Sequence, residues 1–545
     1  MATSFNFNGN TIKIPGVYSN IKSGIKNPTL NLPYGNVVVI DTGSGAGFGG
    51  GAGIQGQLES GKKAVYEFDN IQDFREFTKG GLWWLLASPL FRPAGLNFSG
   101  ISKLTYIRAA ATTAAEIGLT FTGASDSSAG TEGGSITLQV TDEGLGANGV
   151  LNATDELIKG FATKMTTGLI DSSKFMMKFY VGSYTGLDEN GLPYDNISEA
   201  DSKPRLLISS PEFNNIETLI TWMKTDSEFQ KNFKVKASTV TGDGSIGSDD
   251  LDAYVDYELA TGGTEDYAVS GIIEDALEAI KDDQSSYILA DQWGADAQSA
   301  LNFRLAEFIN NESVFKPELV VAGGKDRNEF ALSLATAQFY DNDRVTVVHG
   351  GPRQITRQGL KLYSAMYTAA AVLGREAGIA PQVPLTFKNI NVDSLQHDLT
   401  DKEVTQALDA GVVVVRLDGA SFDVIKGVNT LQKNTFLVNE DGTTHSKQIR
   451  RIARQLNKEI IINAKQQLCK NPVGTNRNTL SPEDVKAWLT GYLRTKKALP
   501  GSDNLILDFY DITVSRNQDA YSVQYKFVPN SEINFIFFTG LIVEV

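Results

Sequence analysis

The runs SYILAD (286–291), ELVVAG (318–323), RVTVVHG (344–350) and GVVVVRL (411–417) decide how this chain folds. Each is a short, nearly continuous apolar stretch, which is how a strand covered on both faces reads. Helical spacing fills the gaps around them, at 266–281, 295–311, 327–338, 357–378 and 401–410. Alternation of this kind predicts a mainly parallel sheet, because parallel neighbours need a long crossover that is usually a helix.

The same pattern continues towards the N-terminus. Asn36–Ile40, AVYEF (64–68) and LTYIRAA (104–110) read as strands, and Asp69 or Asn70 can cap a helix carrying Ile71, Phe74 and Phe77. Between 111 and 245 the composition shifts to Thr, Ser and Gly with short strands: GLTFTG (118–123), SITLQV (135–140), KFMMKFYVGSY (174–184) and PRLLISS (204–210). Amphipathic helices are expected around 153–166 and 215–231, and TGDGSIGSDD (241–250) reads as a linker. The α/β core is therefore expected to be discontinuous, 35–110 plus 246–430. A β-rich domain at 111–245 interrupts it.

Residues 431–530 read as an α+β domain. Helix 446–469 carries Ile449, Ile452, Leu456, Ile460, Ala464 and Leu468 on one face. Its other side carries Lys447, Arg450, Arg451, Arg454 and Lys458. From His445 to Lys497 there are twelve Lys and Arg against three acids. That asymmetry suits a solvated face or, more sharply, contact with an acidic partner. Ser481-Pro482-Glu483-Asp484 opens a further helix, 482–498, with a hydroxyl cap, proline in the first turn and acids at the positive dipole end. LILDFYDITVS (505–515) and YSVQYKFVP (521–529) are strand-like.

Both ends read as arms. Residues 1–34 alternate apolar and polar through Phe5, Phe7, Ile12 and Ile14, and proline at 15, 28 and 33 breaks the pattern. Residues 531–545 include INFIFFTGLIVEV (533–545), with Phe535, Phe537, Leu541 and Val543, apolar on both faces and aggregation-prone unless paired.

Composition limits what the chain can be. At about 150 residues per domain, 545 residues make three to four domains. Its 52 Gly, 16 Pro and 41% hydrophobic residues are those of a globular chain. Gly81–Phe91 and Ile533–Val545 fall short of the ~20 residues that span a bilayer, so no direct membrane insertion is expected. MATSFNFNGN carries no signal-peptide pattern. A net charge of −15 argues against nucleic-acid binding, and Cys469, the single cysteine, suits a reducing compartment.

Chemistry-bearing motifs fail in turn. Three histidines, at 349, 397 and 445, have no metal-ligand spacing. Gly45, Gly47 and Gly50 form G-x-G-x-x-G after a strand, but the sequence that follows lacks the helix a dinucleotide needs. Gly56 to Lys62 fits G-x4-G-K, yet Lys63 stands where a Ser or Thr should hold magnesium. Acidic clusters at 188–191 and 249–252 lack EF-hand spacing. No metal, no cofactor and no enzymatic activity are expected. A nucleotide-dependent α/β enzyme with a β-rich insert is the alternative from another class.

The order of motifs resembles the contractile tail sheath proteins of bacteriophages. IPGVYS (14–19) is similar to the family's opening P-G-V-Y, and helix 69–92 followed by KLTYIRAAAT (103–112) to its helix-then-strand. ELATGGTEDY (258–267) resembles its Gly-Gly turn, and AAAVLGREAGIAPQVPLTFKNI (369–390) its A-G-x-x-A segment. LTDKEVTQALDAGVVVV (399–415) and GVNTL (427–431) resemble the run before its C-terminal domain. The family's V-W-G-x-R-T-L stands here as VIKGVNTL (424–431).

That resemblance implies a subtilisin-like sheath core without a triad, and a structural subunit of a virion tail. Stacked hexameric rings would surround a tail tube, meet baseplate and tail terminator proteins, and contract to drive the tube through the host envelope for genome delivery. Assembly would take place in the host cytoplasm. The sheath of a non-phage contractile injection system is the alternative. Arm strands would pair with neighbouring subunits by β-augmentation, and Lys447, Arg450, Arg451, Arg454 and Lys458 would face the tube. Sixteen extended residues reach about 50 Å, against a radius of gyration near 24 Å for a body of this size.

Overall fold

Four strands, Tyr287–Trp293 (β1), Glu318–Ala322 (β2), Val345–Val348 (β3) and Val412–Val413 (β4), lie side by side in that order, every neighbouring pair parallel. All five residues of β2 and all four of β3 are buried, which is why their sequences are continuous apolar runs. The crossovers are helical. Ala300–Glu307, extended by a π-helical turn at Phe308–Glu312, leads from β1 to β2, and Phe330–Tyr340 (α1) from β2 to β3.

These strands belong to the computed structural model of the chain. It describes residues 5–7, 10–12, 34–42, 53–55, 64–78, 81–95, 100–113, 116–122, 133–140, 162–166, 176–181, 205–213, 216–238, 264–293, 300–356, 359–419, 421–432, 444–470, 480–497, 505–518 and 520–530. They form two units, 1–37 with 89–102 and 281–545, and 38–88 with 103–280.

In the first unit Ala365–Ala377 (α2) is buried at every position. Small residues make this possible: a Cβ on Gly374 would come within 2.4 Å of the Pro89 carbonyl, so that backbone sits directly against the helix. Asp401–Asp409 (α3) starts with a capping box, Thr400 accepting from Glu403 N while the Glu403 carboxylate accepts from Thr400 N. The expected helix 357–378 begins later than its sequence pattern. Pro352–Thr356 and Gly359–Leu362 instead form an antiparallel hairpin. Leu360 and Leu362 alternate with Lys361, a strand period that the helical reading overrode.

Further along this unit lie Lys447–Ala464 (α4), Pro482–Thr495 (α5) and the antiparallel pair Ile506–Asn517 (β5) and Ala520–Pro529 (β6). The Ser481 hydroxyl cap expected from sequence is present, and Asp484 closes it into a capping box.

The second unit contains the antiparallel pair Tyr66–Phe68 and Lys103–Arg108. The helical stretch 69–92 is two helices, Ile71–Thr78 and Gly81–Phe91. Phe74, Phe77 and Trp83 surround Tyr106, whose hydroxyl donates to Asp41 at 2.6 Å. Two three-stranded antiparallel sheets follow, one from Glu116–Thr122, Gly133–Val140 and Phe233–Ser238, the other from Ala162–Thr166, Met176–Val181 and Arg205–Ser209. Residues 162–166 are thus strand and correct the helix expected at 153–166. Their Thr-flanked sequence ATKMT finds a ladder partner in 176–180, and tertiary pairing overrides local spacing. The expected helix 215–231 is two helices, Ile216–Thr225 and Ser227–Asn232, joined at Asp226, which caps the second.

No helix among the described residues is long and apolar enough to cross a membrane. The glycine motif 45–50, the G-x4-G-K segment and both acidic clusters lie outside the described residues.

Candidate functional site: helix α4 and the C-terminal sheet

Helix α4 starts at Ser446, whose hydroxyl accepts from Ile449 N. Its apolar stripe does what the spacing predicts. Ile452, Ala453, Leu456 and Ile460 form one buried cluster with Leu489 and Leu493 of α5 and with Leu505, Ile506 and Phe527 at the base of the β5–β6 sheet. The other side of α4 departs from expectation. Lys447, Arg450, Arg451, Arg454 and Lys458 are all buried, none more than 7% exposed.

Their partners come from the same unit. Lys447 Nζ lies 3.0 Å from both Glu318 of β2 and Glu376 of α2, and donates to Thr346 of β3 at 2.6 Å. Arg454 pairs with Glu318 at 2.5 Å and lays its guanidinium over the Tyr287 ring at 4.3 Å. Arg451 donates to the carbonyls of Glu376 and Ile379, to the Tyr287 hydroxyl, and sits 3.4 Å from the Glu376 carboxylate. Arg450 pairs with Asp343 at 3.3 Å, and Lys458 donates to the Gln284 carbonyl. Burial alone would raise Glu318, but Arg454 and Lys447 override it and hold the carboxyl below its usual range. Burial pushes Lys458 down to about 8.

These five cations, expected on a tube-facing side, are buried within the unit and form no exposed cationic face. The acidic partner that the charge asymmetry calls for lies on β2, on α2 and beside β3, more than seventy residues away in sequence. Sequence carried one signal, an isolated glutamate opening an otherwise apolar strand in ELVVAG; a carboxylate there must find a cation.

The β5–β6 sheet has two strands among the described residues, joined to Lys497 by a single bridge at Ile506. Beyond its base it alternates exposed and half-buried positions, with Leu507, Tyr510 and Val528 exposed. Among the described residues no third strand pairs with this ladder, the geometry that accepts an added strand. Of the arm residues, Phe5 and Phe7 lie on strand Phe5–Phe7 and Ile12 on strand Asn10–Ile12, two strands that pair antiparallel with each other. Ile14, Phe535, Phe537, Leu541 and Val543 lie outside the described residues.

One cluster escaped the sequence altogether. His349 and His397 meet with ring centres 5.8 Å apart, at right angles, with Phe330 against both. Ser333 Oγ lies 2.9 Å from His349 Nδ1 and accepts from Gly324 N. Arg327 Nε donates to His397 Nε2, and Glu403 lies 3.5 Å from that nitrogen. Ser333 is wholly buried, so the serine–histidine contact closes the Gly323-Gly324 turn and meets no substrate. Burial lowers His349 to about 4, which keeps it neutral. No group of three or more metal-ligating side chains occurs among the described residues.

The solved structure of a sheath tail protein from Desulfitobacterium hafniense matches 95% of this chain and 97% of its own, with a TM-score of 0.54 at 15% identity. The fold is that of a tail sheath protein. A sheath tail protein from Listeria innocua covers 94% of this chain and 97% of its own, with a TM-score of 0.49 and 15% identity. In sequence, the tail sheath protein of Bacillus phage SP01 is 25% identical over 171 residues, 30% of this chain and 29% of that protein. The chain thus matches under a third of that relative's length. No family model matches.

Proposed function

We propose that this chain is the structural subunit of a contractile tail sheath and not an enzyme. The observation that carries this is the likeness of fold to a sheath tail protein over 95% of the chain. The segment matching a phage tail sheath protein supports a virion particle. Copies of the chain would form stacked hexameric rings around a tail tube, bounded by baseplate and tail terminator proteins, and assemble in the host cytoplasm.

The β5–β6 sheet supplies edges for the link between copies. Residues 2–15 and 533–545 of neighbouring subunits would add strands to it, because their apolar pattern needs a covered ladder. Work would come from a metastable extended lattice relaxing to a shorter one over a kinetic barrier. Buried ion pairs tie α4 to the parallel sheet, and α4's apolar stripe ties it to β5–β6. The unit would therefore move as one body while the arms hold its neighbours.

Deletion of residues 1–15 tests the linkage. The truncated chain should remain a folded monomer by circular dichroism and sedimentation and form no tubes. Tubes of normal length from that variant would remove the arm from assembly.

A further inference from the structure

We infer that Lys316, Arg344 and Arg450 form an anion site that takes a free, doubly charged tetrahedral oxyanion of the phosphate class. The three cations come from different parts of the first unit. Lys316 lies in the segment leading into β2, Arg344 immediately precedes β3, and Arg450 is on α4. Asn310, in the π-helical turn 308–312, draws two of them together: Lys316 Nζ donates to its carbonyl, and Arg344 Nη1 to its Oδ1 at 3.4 Å. Arg450 is brought in by Asp343, the residue before Arg344, with which it pairs at 3.3 Å. Arg450 and Asp343 are buried, whereas Lys316 and Arg344 are half-buried and reach solvent.

This arrangement is short of acceptors and of negative charge. Among the described residues neither Lys316 nor Arg344 has a carboxylate within 4.0 Å. Arg344 reaches the Ile309 carbonyl and Asn310 only at 3.3 and 3.4 Å, the long end of hydrogen bonding, and its Nε meets no acceptor. The neighbouring carboxylates are taken, Glu318 by Lys447 and Arg454 and Glu312 by Arg304. Three cations against Asp343 alone leave two positive charges uncompensated. Burial, with Arg344 and Arg450 nearby, lowers Lys316 to about 8. Burial and Arg450 likewise lower Arg344 to about 9, although Asp343 and Glu318 oppose that shift.

Holding the lysine there strains the backbone. Lys316 has φ 52°, in the left-handed region, and precedes Pro317, whose ring narrows the conformations open to the residue before it. Strained residues and π-helical turns both collect at binding sites. A bound oxyanion would supply the missing acceptors and offset the repulsion among the three cations. The excess of two positive charges favours phosphate over a carboxylate, because a phosphate group carries about −1.5 to −2 near neutral pH. Its oxygens can accept from a guanidinium and an ammonium at once.

Thermal melts of the full chain test it, with sodium phosphate, acetate or chloride added at matched ionic strength. Wild type is compared with Lys316→Asn/Arg344→Gln, in which asparagine tolerates the left-handed backbone while both charges are removed. Phosphate should raise the wild-type melting temperature saturably, and the variant should need about tenfold more phosphate for the same rise. An independent readout uses the unchanged chain: reductive methylation of Lys316, followed by peptide mass spectrometry. Phosphate at saturation should slow that methylation about fivefold, and chloride should not. An equal, unsaturating rise in both proteins is general salt exclusion, an adventitious ion only, and overturns the site. Equal protection by acetate, or none by phosphate, overturns it as well. If the variant misfolds, the methylation decides. The sheath function does not depend on this site and survives its failure.

Discussion

Lys447 Nζ sits 3.0 Å from a carboxylate oxygen of Glu318, with both side chains almost completely removed from water. Removing one member of a buried pair strands the other charge, at a cost of roughly 3–5 kcal/mol. Lys447→Met should therefore destabilise the chain by that order in denaturant unfolding. The exposed pair Lys497–Asp508 is closer still at 2.6 Å, yet Lys497→Met should change stability by only about 0–1 kcal/mol. Equal effects from the two substitutions would show that the α4 network is not what anchors the helix.

The histidine cluster gives stability a pH dependence with a defined sign. His349 is lowered to about 4 by burial, with His397 beside it reinforcing the shift and Asp326 and Glu403 opposing it; Arg327 also faces His397. The folded state holds His349 neutral, whereas the unfolded chain takes up a proton near the usual 6.5. Stability is thus fully present above pH 6.5 and falls as pH drops towards 4, by about 3 kcal/mol. His349→Gln should flatten that part of the stability–pH curve. A wild-type curve that is level between pH 6.5 and 4 would contradict the buried neutral state.

Two helical glycines should respond in opposite directions. At Gly374 a Cβ would meet backbone oxygens of Pro89 and Leu90 within 2.5 Å, so Gly374→Ala should cost roughly 1–3 kcal/mol. At Gly491 in α5 the space is open, and Gly491→Ala should stabilise by up to about 1 kcal/mol through helix propensity. Thermal melts of the two variants decide the matter, and a stabilised Gly374→Ala would show that α2 does not pack against that backbone.

Sequence made legible what local pattern controls. The apolar runs of β1 to β3 announce strands buried on both faces, and Ser481-Pro482-Glu483-Asp484 announces its own helix start. Long-range pairing was hidden. Nothing around Arg451 or Arg454 says that Glu318 and Glu376, more than seventy residues earlier, will meet them, so five buried cations read as a solvated face or as one turned to an acidic partner, the tail tube. His349 and His397 are 48 residues apart in sequence and touch only because β3 and the segment before α3 converge. At 352–362 the strand period is short beside a long helical apolar run, and the longer signal dominated. The arm strands sit at the limit of local reading: Phe5–Phe7 and Asn10–Ile12 pair with each other, and the further partner proposed for them is another copy.

Assembly of the purified full-length chain, imaged by negative-stain electron microscopy at micromolar concentration in nucleotide-free buffer, tests the sheath function most directly. Striated tubes of uniform diameter should form and, on mild heating, shorten irreversibly with nearly constant circular dichroism. A correctly folded chain that stays monomeric across concentration and salt, or tubes whose shortening requires ATP, would contradict it.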